Sequence, residues 1–353
     1  MKKQKRIREY GIHIGEMTVG PKNSITDVDG VTVGQVTLSN QDTQTGVTAV
    51  LPHQGNIFQE KVLASTHVIN GFGKTTGSIQ VTELGTIETP IILTNTLSVG
   101  LAADALIDYM LEQNPKIGQT TGTVNPVVGE CNDMFLNSIR AKKIKKDHIF
   151  QAIHTASSTV EEGTVGAGTG MLCYSLKGGV GTSSRIMELD HGTYTLGVLV
   201  VTNFGILHDL TIQGNQIGKA LKEKILPSWE EKDKGSIMMV VATDLPVSER
   251  QLNRILKRTS TGLARTGSII TNGSGEIAIG FTTANKVSHQ KTGKISSLQT
   301  IHEEEIDEAF RAVGEATEEA VINSLITATA VTGRDGNKRP ALKDLLKSFQ
   351  IPL

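Results

Sequence analysis

Apolar runs alternate with amphipathic ones along the whole of this 353-residue chain, and such alternation predicts a mixed α/β fold. Short apolar runs bounded by turn residues predict strands over 46–51, 91–94, 195–202, 237–243 and 276–283. Apolar positions at helical spacing predict helices over 99–112, 133–142, 248–263, 304–327 and 341–348. The 304–327 segment carries the clearest period, with Ile306, Phe310, Val313, Ala316, Ala320 and Val321 recurring among acidic residues. A turn follows it at Gly333-Arg334-Asp335-Gly336, and neither an internal repeat nor a low-complexity linker interrupts the chain.

One stretch, 216–234, could divide the chain, because it holds Pro227, Trp229 and a dense set of charges. The apolar runs on either side of it, Leu196 to Val201 and Ile237 to Ala242, are the kind buried on both faces, which suits adjacent strands of one sheet. The charged stretch is therefore expected to be a surface excursion, and residues 1–353 a single domain.

Composition narrows the function classes. Lys plus Arg number 35 against 36 for Asp plus Glu, a net charge of -1, so there is no electrostatic footprint for nucleic acid. The basic run Arg140 to Lys146 reads as a solvated face or helix end. Two cysteines, Cys131 and Cys173, and nine scattered histidines offer no disulfide framework, no metal-ligand spacing and no cofactor site. The basic residues near Met1 are not followed by an apolar stretch, and no run approaches transmembrane length, so a soluble, cytoplasmic protein without membrane partners is expected. Glycine, at 37 residues, exceeds the roughly 7% of average proteins, which implies many tight turns and close backbone approaches.

Candidate chemistry concentrates at Gly235-Ser236, where charges end and the apolar run Ile237 to Ala242 begins. Taken alone, Gly-Ser here is an ordinary turn into a strand. It is also a junction that could be cut: the serine hydroxyl can attack the preceding carbonyl, which glycine leaves unshielded. An N-to-O acyl shift and hydrolysis would leave Ser236 as a chain start, a nucleophile with its own α-amine as base. Two further groups could serve it. Ser274 and Glu276 are two apart at a strand entrance and could relay a proton. Asn203, just after the 195–202 strand, places a neutral donor suited to an oxyanion.

Other motifs fail on spacing. The string from Asn70 to Gly77 has Val68 where a phosphate-binding loop needs glycine, and Gly163 to Gly170 lacks the full dinucleotide spacing. The amides of that second loop could instead face a substrate carbonyl or carboxylate. Neither an HExxH nor a GxSxG motif is present, and Ser288 to Lys291 matches SxxK only by chance.

The chain resembles the L-aminopeptidase/D-esterase family, which includes the β-aminopeptidases. The strings that carry the likeness run in order from Ile25-Thr26-Asp27-Val28-Asp29-Gly30 and Thr45 to Pro52, through Asn70 to Lys74, Glu83 to Ile91 and Leu93 to Gly100. They continue through Gly166 to Met171, Gly235-Ser236 with Ala242-Thr243-Asp244, and Thr332 to Gly336. The resemblance implies an αββα sandwich similar to N-terminal-nucleophile hydrolases but with different strand connectivity. It implies cleavage into chains 1–235 and 236–353 that stay associated, as a homo-oligomer (tetramer or larger) of cleaved pairs. Ser236 matches the family's nucleophile, Ser274 and Glu276 its Ser-x-Glu pair, Asn203 its oxyanion asparagine, and Glu130 the carboxylate that receives the substrate's free amine. The expected substrates are small peptides, amides or esters with a free amine. One departure is Asn132, which stands where several members have a tyrosine that assists the oxyanion. Two other classes stay open: an acyltransferase resembling ornithine acetyltransferase, against which Ser236 in place of threonine argues, and an uncleaved member with no enzymatic role.

Overall fold

The computed structural model describes residues 4–225 and 235–353. In chain order the first half contributes strands β1 (Thr32–Asn40), β2 (Thr43–Leu51), β3 (Glu60–Gly71), β4 (Thr86–Ile87), β5 (Ile91–Asn95) and β6 (Val127–Cys131). Helices α1 (Ser78–Leu84), α2 (Val99–Gln113) and α3 (Lys146–His154) lie among and after them. A small hairpin, β7 (Leu172–Cys173) and β8 (Leu176–Lys177), precedes the long strands β9 (Val180–Leu189) and β10 (Gly192–Asn203) and the short helix α4 (Ile217–Lys222). Then come β11 (Ser236–Thr243), α5 (Glu249–Leu256), α6 (Thr259–Arg265), β12 (Gly275–Ser288), α7 (Asp307–Ile326), the short pair β13 (Val331–Thr332) and β14 (Lys338–Arg339), and α8 (Leu342–Phe349).

The strands form a four-stranded sheet, β1-β2-β5-β6, and a six-stranded sheet, β4-β3-β12-β11-β10-β9. Within these two sheets β5–β6 and β11–β12 are the parallel pairs. Each needs a crossover, since parallel neighbours cannot be joined by a tight turn; α2 lies in the first connection and α5 with α6 in the second. The two sheets stack face to face. Ile91, Leu93, Val127 and Cys131 of one meet Leu199, Val201, Met238, Val240, Ile277 and Ile279 of the other in a single buried cluster. Helices α2 and α3 cover the outer face of the small sheet. On the outer face of the large sheet, α5 and α7 bury a continuous apolar layer against Val198, Val200, Ile237, Met239 and Val241. The layers are α, β, β, α, as expected.

The runs either side of the charged stretch are indeed adjacent strands: β10 and β11 pair antiparallel from Leu196↔Thr243 to Asn203↔Ser236. Pro227, Trp229 and the charges from Glu230 to Lys234 lie outside the described residues. The helix expected over 133–142 does not form. The Asp133 carbonyl accepts from the Leu136 and Asn137 N–H groups at 3.2 and 2.9 Å, and Ser138 N–H turns away to Asp42 O at 2.7 Å. Lys142, at φ 45°, ends a single 3-10 turn over Ile139–Ala141. The basic run beyond it is mostly exposed and leads into α3, where Lys146 pairs with Asp104 at 2.6 Å. The helix expected over 248–263 is two, breaking at Lys257 and Arg258.

Helix α7 is buried almost all round from Ala312 to Ile326, its acidic side chains included. Arg185 of β9, fully buried, explains this. It donates to Glu315 Oε2 at 3.0 Å, Glu319 Oε2 at 2.9 Å and Ile14 O at 2.7 Å, and Arg8 reaches Glu319 Oε1 at 2.8 Å. The polar run Thr182-Ser183-Ser184-Arg185 hides β9 from any reading of apolar periodicity, yet all four residues are buried.

Candidate active site

Antiparallel pairing of β10 with β11, and parallel pairing of β11 with β12, bring the end of one strand and the starts of two others to the same edge of the large sheet. Asn203 faces Ser236 in the first ladder and Gly275 faces Ser236 in the second. Ser274 and Glu276 therefore flank the residue opposite Ser236, and all three side chains are buried. Ser274 itself lies in the turn before β12, its N–H on Thr271 O at 3.0 Å. Asn70, the partner of Glu276 across β3, ties that turn down by donating to the Thr271 and Ser274 carbonyls. Among the described residues, the Ser274 hydroxyl has no hydrogen-bond partner, and the Ser236 hydroxyl lies against the Cys131 thiol.

Gly235 is needed here for space as well as for leaving its carbonyl unshielded. A Cβ at this position would lie 1.9 Å from Asn203 O and 2.6 Å from Phe204 Cα. The Gly235 carbonyl accepts from Gly275 N–H at 3.1 Å, so the bond before Ser236 is clamped between two strands with its oxygen already polarised.

The Asn203 amide has a defined orientation. Its Oδ1 accepts from Leu172 N–H at 3.0 Å, and because a backbone N–H can only donate, the Nδ2 donors must face the other way. The tract 163–170, whose amides could have met a substrate, spends them internally: Gly166 N–H goes to Thr37 Oγ1 at 2.9 Å and Ala167 N–H to Thr48 Oγ1 at 3.1 Å.

The second sheet supplies Glu130. Gly129 lets Met238 of the facing sheet approach so closely that a Cβ there would be 2.5 Å from Met238 Cε, which seats β6 over β11. Glu130, 4% exposed, accepts from Lys74 N–H at 3.0 Å and from the Thr96 hydroxyl. A carboxylate offers about four lone-pair directions, so it retains acceptor capacity. Asn132, half-buried, uses Oδ1 to accept from Met134 N–H at 3.0 Å. Cys131 lies beside Ser236, but burial pushes its thiol well above the usual range, and Sγ donates to Val201 O at 3.4 Å. It is an inert neutral thiol, not a rival nucleophile.

Sequence reasoning missed Lys74, Thr96, Asn70 and Leu172, each of which fixes a candidate residue. Thr96 and Asn70 act through side chains within strings that carry the family likeness; for Leu172 and Lys74, which act through backbone N–H groups, no side-chain signal exists.

A four-layer αββα sandwich with a serine at the head of a central strand is the architecture of N-terminal-nucleophile hydrolases, and the comparisons agree with it. Residues 23–339 match peptidase family S58, and the chain belongs to that family. It is 37% identical over 353 residues to a β-peptidyl aminopeptidase, BapA, of Sphingosinicella microcystinivorans, covering 94% of this chain and 88% of that protein. Among solved structures, the PH0078 protein from Pyrococcus horikoshii OT3 superposes with a TM-score of 0.92 at 49% identity, over 97% of this chain and 98% of that one. An L-aminopeptidase D-Ala-esterase/amidase from Ochrobactrum anthropi, described as a new variant among the Ntn hydrolase fold, gives 0.89 at 32% identity, over 99% of each chain. The protein is an aminopeptidase.

Proposed function

We propose that this aminopeptidase makes its own active site by cutting before Ser236. The Ser236 hydroxyl attacks the Gly235 carbonyl carbon, the oxyanion forms on the oxygen that Gly275 N–H contacts, and the C–N bond breaks to release the serine nitrogen as an amine. Water then hydrolyses the Gly235–Ser236 ester, leaving chains 1–235 and 236–353. In turnover the same hydroxyl attacks the substrate carbonyl and its proton passes to the α-amine of Ser236 or toward Ser274 and Glu276. Asn203 Nδ2 stabilises the oxyanion, the leaving amine takes a proton, and water releases the acyl group. Glu130 receives the substrate's ammonium by a charge-assisted hydrogen bond, and Asn132 offers an amide where relatives have a tyrosine. The substrates are short peptides, amides or esters with a free amino terminus. The names of its relatives extend this to β-amino acids at that terminus.

The observation that carries this reading is the pairing of Ser236 with Asn203 on one ladder and with Gly275, between Ser274 and Glu276, on the other. Mass measurement under denaturing conditions tests it: wild type runs as two fragments and Ser236→Ala as one chain. An uncut wild type that still releases p-nitroaniline from an amino-acid p-nitroanilide refutes it. Equal turnover of the N-acetylated substrate refutes the role of Glu130.

A further inference from the structure

Lys177 is fully buried, yet among the described residues no carboxylate pairs with it. Its Nζ donates instead to three backbone carbonyls, Gly168 and Met171 at 2.9 Å and Gly178 at 2.7 Å. Burial pushes the ammonium down to about 7, and the three acceptors oppose that shift, because only the protonated amine has three donors.

One of these carbonyls leads to the candidate active site. The peptide group whose oxygen, Met171 O, accepts from Lys177 is the group whose nitrogen, Leu172 N, donates to Asn203 Oδ1 at 3.0 Å. Lys177, one planar peptide and the Asn203 amide therefore form a single hydrogen-bonded chain. In such chains each bond polarises the next.

The hairpin that carries both ends is held in a costly shape. Its turn residues, Tyr174 and Ser175, have φ of 49° and 63° without being glycine, a conformation that survives only where surrounding contacts over-determine it. Those contacts are present: Tyr174 N–H on Phe204 O at 2.7 Å, the Tyr174 hydroxyl against Thr266 Oγ1 at 2.7 Å, and Lys177 N–H on Pro340 O at 2.9 Å. The first of these anchors fixes the hairpin against Phe204, the residue after Asn203 at the end of β10.

We propose that Lys177 is a positioning residue for the oxyanion donor: through the Met171–Leu172 peptide it locks the Asn203 amide with Nδ2 toward the reacting carbonyl and strengthens that donor. This rests on the oxyanion role of Asn203 proposed above. It assigns the buried lysine a part in turnover besides holding the loop.

The test is a double-mutant cycle on an amino-acid p-nitroanilide, with kcat taken per cleaved chain and thermal unfolding recorded for each protein. Asn203→Ala alone is expected to lower kcat by roughly 10²–10³-fold. Lys177→Met, which loses charge and donors, is expected to lower kcat by about tenfold with KM within about twofold, since the contact acts in the transition state. On the Asn203→Ala background the same substitution should change kcat by less than about twofold, because the residue it acts through is gone. Lys177→Gln keeps N–H donors for the carbonyls without the charge, protects the fold, and should show the same coupling. Equal losses on both backgrounds, or a folded Lys177 variant with wild-type kcat, overturn the proposal. If Asn203→Ala leaves kcat unchanged, the oxyanion reading itself falls, an outcome distinct from additivity.

Discussion

Individual residues here are constrained by what lies within a few ångströms of them, and two substitutions expose those constraints. Gly235→Ala drives a methyl to within 1.9 Å of a backbone oxygen, so the clamp before Ser236 must open; self-cleavage followed by mass should slow sharply or stop, in a chain whose Ser236 is intact. Asp133 illustrates a different constraint. Burial raises its carboxyl to about 6, against which bonds from neighbours such as Asn137 work only partly. A folded-state value above the unfolded one of roughly 3.9 means the native state holds the proton more tightly, so stability is lost as pH rises from about 4 through 6. At about 1.4 kcal/mol per unit the loss approaches 3 kcal/mol. Asp133→Asn mimics the protonated acid and should remove it; denaturant unfolding at pH 4 and pH 7 would then show a smaller difference than wild type. Glu130→Gln, which can still accept from Lys74 N–H, should raise KM by roughly 10–100-fold with kcat less affected, the loss of about 1.5–3 kcal/mol for a hydrogen bond to a charge.

Among the elements, α7 and β9 depend most on each other. The apolar period of α7 was legible in the sequence, but the place of the acidic residues between was not: Glu315 and Glu319 are buried against Arg185. Burial tends to raise the Glu319 carboxyl, but Arg8 and Arg185 prevail and hold it below its usual range. A lowered value places its stabilising contribution above the unfolded pKa and withdraws it as pH falls through the folded one. Arg185→Leu leaves two buried carboxylates short of a partner and should cost on the order of 3–5 kcal/mol by denaturant unfolding. A loss under about 1 kcal/mol would show the network to be energetically neutral. The helix expected over 133–142 failed for the converse reason: its periodicity was real and Asp133 O starts a helical turn, but the Ser138 N–H leaves it for Asp42 O and only a 3-10 turn follows.

For the molecule as a whole, the two proposed fragments share one core. Strand β11, opening the second fragment, is hydrogen-bonded between β10 of the first and β12 of its own. Separating the fragments would strip the central strands of the large sheet, so they should copurify through gel filtration and part only in denaturant. Exposed apolar side chains at Phe72, Ile79, Leu84 and Ile269 fit an assembly of such pairs. Light scattering at micromolar concentration should give a particle several times the mass of one chain, and a single-chain mass would rule out the oligomer that the resemblance implies.

Local chemistry by itself determined a good deal. Continuous apolar runs mark strands buried on both faces, so the central strands at 195–202, 237–243 and 276–283 could be read directly. The Gly235-Ser236 junction, Asn203 and the Ser274/Glu276 pair stand at strand ends that the same runs delimit. Tertiary structure alone decided which ends meet. A β-ladder joins residues by register, not by separation along the chain, so Asn203, Ser236 and Gly275 become neighbours only once β10, β11 and β12 pair. It also decided what holds each candidate, because Leu172 N–H, Lys74 N–H and Gly275 N–H are backbone donors carried by every residue but proline. Their direction is set by the fold and leaves no mark in the sequence.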